Sequence, residues 1–508
     1  MPQTAPIGRT SVLLVPLAIA SRGLAFVVPL VIAMWFGVGP ITDAWYWALA
    51  FPTFALVLAS TALGTAATPA IARTLADTPE RLPRVVGGLF TWTAIGSGLL
   101  GLGICVSAPA ALPVLTEFAP ETRALTAAFL WELLPFMVLV SAGAVLRVTC
   151  EVHRQFFTVA ATPFIRATVV IITTWALKGV IGPHALPWGL VAGEVAQLTF
   201  WGIVLFRSGV RLDFRPHLDP TVRSVGRDLA PILAGEVLVA LNLIVDKAFA
   251  AHLPSGSVAT LEYADRARVI PQTLLESTLL MVAYASWSTL RARGGLAESR
   301  RAVDQALRWT LTLAAPCLAG MFIGRHALVA LLYERGAFLP EDTLRTASVL
   351  GWYLPGVLPT LLGILAVRAH VLERNLRLVF VLGAVSVVGN AALNAVWMGP
   401  LGLEGLALST TLNMTLIPGL YLWQLRQTVP FRARTWAGPL AVFALTVGIA
   451  AAAELTTGPP QSVFDLSLWA WSVPCFLLLG AGAMLTRPPA AQPPGSGEDA
   501  DSTGNHTR

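Results

Sequence analysis

The chain has 508 residues, of which 55% are apolar and 12% charged, with a net charge of +6. A soluble domain carries about 25% charged residues, so this chain lacks the charge to cover a water-facing surface and does not read as a soluble enzyme. Four cysteines (Cys105, Cys150, Cys317, Cys475) lie far apart without a CxxC or Cys/His cluster, which argues against a disulfide framework or a zinc site.

The apolar residues come in blocks long enough to cross a bilayer as a helix, which takes about 20 residues. In chain order they predict spans at 11–36, 42–71, 85–109, 123–146, 156–177, 186–206, 228–251, 258–290, 304–332, 343–367, 376–398, 402–425, 435–456 and 465–486. The first block follows Arg9 and runs past Ser21-Arg22 to Phe36 with no small-residue cleavage site, so it reads as a membrane helix and not a cleaved signal. Residues 487–508 are rich in Pro, Gly, Ser and acids and read as a disordered tail. The expected fold is an all-α polytopic membrane protein of about 14 transmembrane helices.

Basic residues set the orientation. The loops after even-numbered spans, the adjoining helix ends and the two termini hold 24 of them, from Arg73, Arg81 and Arg84 to Arg426, Arg432 and Arg434. The opposite side holds four: Arg123, Lys178, Arg335 and Arg345. This split predicts cytoplasmic termini. It also assigns the positive charge to topology and excludes a nucleic-acid partner.

The segment from Asp43 to Arg73, with Phe51-Pro52, matches Glu262 to Arg291, with Ile270-Pro271, at an offset of 219 residues. Each has an acid near its start, a proline nine residues on, and a basic loop after it. Such a repeat predicts two pseudo-symmetric six-helix lobes, 1–227 and 228–428, followed by two further helices within 429–486 and the tail 487–508.

Charges inside a membrane helix are costly and mark cavities or partners. Arg22 lies halfway along the first span, too deep to snorkel easily. Arg266 and Arg268 sit in the outer half of the eighth, just before Pro271, with Asp265 beside them. Guanidinium groups on these helices can converge between the lobes on a phosphate-bearing ligand. Arg166, Glu194 and Arg325 are further intramembrane charges, Glu132 reads as structural, and Asp246–Lys247 reads as a pair at a helix boundary. Asn390 and Asn394, four residues apart, share a helix face. They either hydrogen-bond between helices or, with Thr410 and an acid such as Glu236, furnish oxygen ligands for a sodium ion. No Walker loop, HExxH or G-x-S-x-G occurs, so no catalytic role and no organic cofactor is expected.

Several stretches resemble the MviN/MurJ family of lipid II flippases, within the multidrug/oligosaccharidyl-lipid/polysaccharide exporter superfamily. They are Ser21-Arg22-Gly23-Leu24, Phe36-Gly37-Val38-Gly39 with Thr42-Asp43-Ala44, Phe51-Pro52, Ser255-Gly256-Ser257-Val258, Tyr263-Ala264-Asp265-Arg266, and Leu332 to Phe338. The resemblance implies a monomer in the bacterial inner membrane among membrane lipids. It also implies a cationic cavity between two lobes and alternating access for a lipid-linked anionic glycan, a peptidoglycan precursor on undecaprenyl pyrophosphate. By the same resemblance, Arg22 and Arg266 match arginines that meet the pyrophosphate and Asp43 matches a family acid. A sodium site, where the family has one, falls on Asn390, Asn394 and Thr410.

The chain departs from the family pattern at Val28-Pro29, where an Arg-Asp pair is common, at Leu56, where an arginine is common, and at Val269, where an acid is common. Arg268 is the candidate to replace one missing arginine. These departures keep two alternatives open: export of another lipid-linked polysaccharide, and a degenerate membrane scaffold that transports nothing.

Overall fold

The computed structural model describes residues 23–478 except 25, 58–61, 293–295, 373–374, 428, 430–432, 457–469, 472 and 476. Arg22 and the tail 487–508 therefore lie outside the described residues. The chain is all-α, with no strand among the described residues. Among the described residues, seven helical stretches are long and apolar enough to cross a membrane: Pro79–Leu115, Pro120–Val152, Phe156–Arg207, Ala297–Ile323, Pro340–Val371, Arg377–Leu425 and Thr435–Thr456. Their outward faces carry apolar side chains that water would not accept, such as Leu99, Val106 and Val114 on one helix and Trp175 and Val180 on another. With the bilayer as solvent these faces are in their preferred medium.

In chain order the helices are α1 (Phe26–Phe36), α2 (Pro40–Val57), α3 (Gly64–Asp77), α4 (Leu82–Leu115), α5 (Pro120–Val152), α6 (Phe156–Ile181), α7 (Ala185–Arg207), α8 (Pro220–Ala250), α9 (Ser257–Ala292), α10 (Leu296–Ile323), α11 (Arg325–Tyr333), α12 (Pro340–Leu372), α13 (Leu376–Leu425) and α14 (Ala433–Thr456). A helical segment is not always one crossing. The expected span 304–332 is two helices, α10 and α11, which meet at Gly324. The expected spans 376–398 and 402–425 are the two arms of α13, broken at Gly402, whose φ of 58° and ψ of −127° no ordinary side chain favours. Of the expected span 465–486, only seven residues between 470 and 478 are described, all helical.

Local chemistry explains several helix ends. Prolines start α2, α5, α8 and α12, where their missing N–H is no loss. Asp219 caps α8 by accepting from Thr221 N at 2.9 Å and pairs with Arg81 at 2.6 Å.

Among the described residues, one apolar core runs through helices from α1 to α13, and three smaller ones lie between Leu63 and Val225, between Val303 and Val429, and at Ala319, Ile323, Ala453 and Cys475. At one end of the large core four loops are stitched together. Ala337 N donates to Met34 O at 2.9 Å, Glu117 N to Ala251 O at 3.0 Å, and the Tyr263 hydroxyl to Gly37 O at 3.2 Å. Gly37 and Gly336 face each other's loops at φ of 62° each, with no room for a Cβ: one at Gly336 would collide with Met34 O, one at Gly37 with Ala337 O. Gly336→Ala is therefore expected to lower the thermal midpoint of the purified protein, by backbone strain of about 1–2 kcal/mol plus the collision. Gly103→Ala, in a helix with open space around it, is expected to leave the midpoint unchanged or raise it.

Candidate functional site

Helix α9 carries Glu262, Asp265, Arg266 and Arg268 within two turns. Successive residues on a helix point about 100° apart, so Arg266 and Arg268 leave α9 on different sides, and each enters its own cavity.

The first cavity, about 300 Å³, lies among α1, α2, α5, α6, α7 and α9. Arg166 from α6 and Arg266 from α9 both line it, with Thr53. Arg166 faces Glu194 at 3.4 Å and lies 5.4 Å from the centre of the Phe136 ring. Arg266 pairs through Nη2 with Glu262 at 2.6 Å and lies 5.7 Å from the centre of the Tyr46 ring, a cation–π contact. Its Nε is buried with no hydrogen-bond partner. Val28, Pro29 and Leu56, three of the four positions noted above as departing from the pattern the chain resembles, line this same cavity, and Val269 does not.

Glu262 is the centre of a buried charge triad. Its second oxygen pairs with Lys247 Nζ at 2.9 Å, and that ammonium also donates to the Tyr46 backbone oxygen at 2.9 Å. Lys247 and Glu262 are 8% and 12% exposed, whereas Arg266 keeps 33% of its side chain open. Tyr46, Tyr263, Tyr333 and Phe338 pack edge-on and tilted behind the triad.

The second cavity, about 510 Å³, lies among α8, α9, α12 and α13. Arg268 is here, not with Arg266. Its guanidinium is held by Asp265 at 2.5 Å and Gln272 at 2.9 Å and lies 5.6 Å from the centre of the Tyr353 ring. It does not replace an arginine missing from the first cavity. Arg166 is the second cation there, and the sequence reading gave it no role.

Asn390, Asn394 and Thr410 do converge on an acid, but on Asp246. The two amides donate to Asp246 Oδ1 at 2.6 and 2.8 Å, and the hydroxyl approaches Oδ2 at 3.4 Å. Glu236 lies ten residues earlier on α8, about 15 Å along the helix. Asp246 and Lys247 are not a pair at a boundary: adjacent on α8, they face different partners, Asp246 the amides of α13 and Lys247 the Glu262 carboxylate. Asn390 Oδ1 and Asn394 Oδ1 are buried with no partner, so the cluster holds acceptor oxygens that a hard cation would satisfy.

Asp43 stands apart from both cavities' cations. At the stitched end, its oxygens accept from Gly256 N at 2.5 Å and Ala259 N at 2.9 Å. It reaches from α2 to cap the N-terminus of α9, where a negative charge meets the positive end of the helix dipole. Arg325 is also engaged elsewhere, in a two-pronged pair with Glu454 of α14 at 2.9 and 2.6 Å.

These features define a class: a polytopic α-helical membrane protein of transporter type, with cation-lined and acid-lined cavities on either side of a charged central helix. The fold agrees. An inward-facing multidrug resistance MATE family transporter of the MOP superfamily superimposes with a TM-score of 0.62 at 14% identity, covering 79% of this chain and 97% of that one. A lipid II flippase MurJ in an inward closed conformation superimposes with a TM-score of 0.77 at 21% identity, covering 92% and 98%. The family model for the lipid II flippase MurJ matches residues 32–475, and the chain belongs to that family. A probable lipid II flippase MurJ of Rhizobium meliloti (strain 1021) is 24% identical over 92% of this chain and 90% of its own length. One of Vibrio cholerae serotype O1 is 26% identical over 84% and 86%.

The cap makes a prediction. Asp43→Ala strips two amides of their acceptor and should destabilise the protein by about 1–2 kcal/mol, read as a lower thermal midpoint, while Asp43→Asn recovers part of the loss. An Asp43→Ala protein that melts like wild type would remove the capping role.

Proposed function

We propose that this chain translocates a lipid-linked peptidoglycan precursor across the bacterial inner membrane by alternating access, with Arg266 and Arg166 receiving the cargo's pyrophosphate in the first cavity. The observation that carries the reading is the placement of two guanidinium groups in one cavity within hydrocarbon, one of them with an unpartnered nitrogen. A guanidinium offers forked donors that suit phosphate oxygens. Arg22 joins them on the strength of the sequence, its position lying outside the described residues. Family membership and the relatives named as probable lipid II flippases support the cargo class.

In this reading the bundle has 14 crossings, with lobes 1–227 and 228–428 moving against each other and a further helix pair at 429–486. The separate packing cores in the two halves of the chain support the division. Both termini face the cytoplasm, which makes the stitched end the outer face. Asp43, reaching from the first lobe to α9 of the second, then holds the outer gate shut, and opening it requires release of the two hydrogen bonds that Gly256 N and Ala259 N donate to it. Val28, Pro29 and Leu56 make part of the cavity wall apolar. They favour a second reading, a different lipid-linked glycan on the same pyrophosphate carrier.

Complementation of flippase-depleted cells tests cargo and site together. Wild type is expected to restore growth, and Arg266→Ala and Arg166→Ala to lower it sharply. Rescue by both mutants would remove the pyrophosphate site. A well-inserted wild type that fails to rescue would shift the reading to the second cargo.

The second cavity supports a cation site. Asp246, Asn390, Asn394 and Thr410 are the residues that would hold a sodium ion, and their oxygens fit a hard cation. A bound ion there would offset the buried carboxylate's charge. Sodium is therefore expected to raise the thermal midpoint of wild type more than potassium at equal ionic strength, since a ligand that binds only the folded state stabilises it. Asp246→Asn should abolish the difference. Equal midpoints in the two salts would remove sodium from the proposal.

A further inference from the structure

We infer that Glu262, anchored by Lys247, is a built-in competitor anion for Arg266: it tunes how tightly the first cavity holds a phosphate and so sets how readily the cargo leaves. The inference rests on the reading that Arg266 meets the cargo's pyrophosphate, and deepens it.

The geometry is one carboxylate between two cations. Glu262 Oε1 takes Arg266 at 2.6 Å and Oε2 takes Lys247 at 2.9 Å. Arg266 is four residues from Glu262 on α9, while Lys247 comes from α8 and is fixed by the Tyr46 oxygen of α2. The triad keeps one net positive charge. Lys247 and Glu262 are mostly buried and lie on the side of the second cavity, whereas Arg266 keeps a third of its side chain open and lines the first. Glu262 meets the guanidinium at Nη2, and Nε is buried with no partner. The carboxylate thus orients Arg266 without saturating it.

An arriving phosphate must share Arg266 with Glu262. Lys247 decides the terms, because it draws on the same carboxylate and weakens its hold on Arg266. With Lys247 removed, Glu262 would belong to Arg266 alone and the cavity would bind phosphate less well. With Glu262 neutralised, Arg266 would give its whole fork to the ligand and bind more tightly, and release would slow. Glu262 and Lys247 are positioning residues, since each acts on the cargo through Arg266.

The test is isothermal titration of farnesyl pyrophosphate into the purified full chain in detergent, at fixed salt. Wild type is expected to bind, and Arg266→Ala to bind at least tenfold more weakly. If these two bind alike, the reading of Arg266 as the phosphate contact fails. Given that contact, Glu262→Gln is expected to bind about tenfold more tightly, roughly the worth of one charge-assisted hydrogen bond, and to support slower rescue in flippase-depleted cells. A residue that merely braced the fold would give no such gain. Lys247→Met is expected to weaken binding in the wild-type background and to change it little in the Glu262→Gln background, while Lys247→Arg binds like wild type. Equal or weaker binding by Glu262→Gln, or the same Lys247→Met effect in both backgrounds, would overturn the competitor role with the Arg266 contact intact. Should Glu262→Gln not fold, the lysine variants decide: Lys247→Met at wild-type affinity overturns the proposal, and weakened binding restored by Lys247→Arg upholds it.

Discussion

A charged group placed in hydrocarbon must find an opposite charge, a dipole or water, and the interior of this protein is arranged around that demand. Each ion taken out of water costs several kcal/mol even after relaxation. Lys247, Glu262 and Arg266 meet the cost together, helped by the Tyr46 backbone oxygen and the negative face of its ring. The three residues come from two helices and the acceptor from a third, so α2, α8 and α9 are fixed to one another by charge and not by shape alone. Removing one member of a buried pair costs about 3–5 kcal/mol because its partner is stranded. The same arithmetic explains why the open side of Arg266 matters. A guanidinium whose Nε is buried without a partner is an energetically incomplete group, and this is the group the proposed function gives to an anion.

The fold was legible because hydrocarbon imposes a simple code. Apolar blocks of membrane length, and basic loops between them, are visible without any knowledge of packing, and the helices follow those blocks closely. What escaped was the break at Gly324, which divides an apolar run without changing its composition, so hydropathy is blind to it, whereas Gly402 falls where two spans were expected to part. The site was legible in its residue types and less so in its pairings. Arg266, Asn390, Asn394 and Thr410 announced themselves as polar groups in apolar surroundings. Their partners depend on helix rotation, which composition does not carry. Arg268, two residues beyond Arg266, was expected to share its cavity and instead enters the neighbouring one. Asp246 and Lys247 looked like each other's partners because they are adjacent in sequence, yet adjacency on a helix separates side chains. One signal was available and passed over: Glu262 and Arg266 stand at i and i+4, the spacing at which opposite charges meet on a helix.

That rotation gives the interior its organisation. Asp246 and Lys247 occupy successive positions on α8 and both line the second cavity, Asp246 bonded to the amides of α13 and Lys247 paired with Glu262, whose other oxygen holds Arg266 of the first cavity. A change of charge at Asp246 is felt one residue away by the ammonium that restrains Glu262. If the proposed cation cluster and phosphate contact both operate, the link between them is short: Asp246 to its neighbour Lys247 on α8, then Glu262 and Arg266 on α9. For such coupling to be thermodynamic, the ion and the cargo must each favour one of two arrangements of the bundle. The loops stitched across the ends of α1, α8 and α11 close one end of the bundle, and Asp43 is a specific tie there, accepting from the backbone N–H of Gly256 and Ala259.

The apolar replacements at Val28, Pro29 and Leu56 belong to the same account. Each cation removed from the first cavity lowers both its affinity for a phosphate and the number of anions needed to balance it. Had the triad consisted of Arg266 and Glu262 alone, a cavity so depleted would have been close to neutral, with little to draw a pyrophosphate out of the interface. Lys247 restores one net positive charge from behind the wall, where it takes no space in the cavity. A cavity with an apolar wall at Val28, Pro29 and Leu56 could thus remain attractive to an anion. In the competitor role proposed for Glu262, the charge acts through a carboxylate that would yield when the ligand arrives and return when it leaves. This favours passage over capture, which suits a protein that must let its cargo go on the far side.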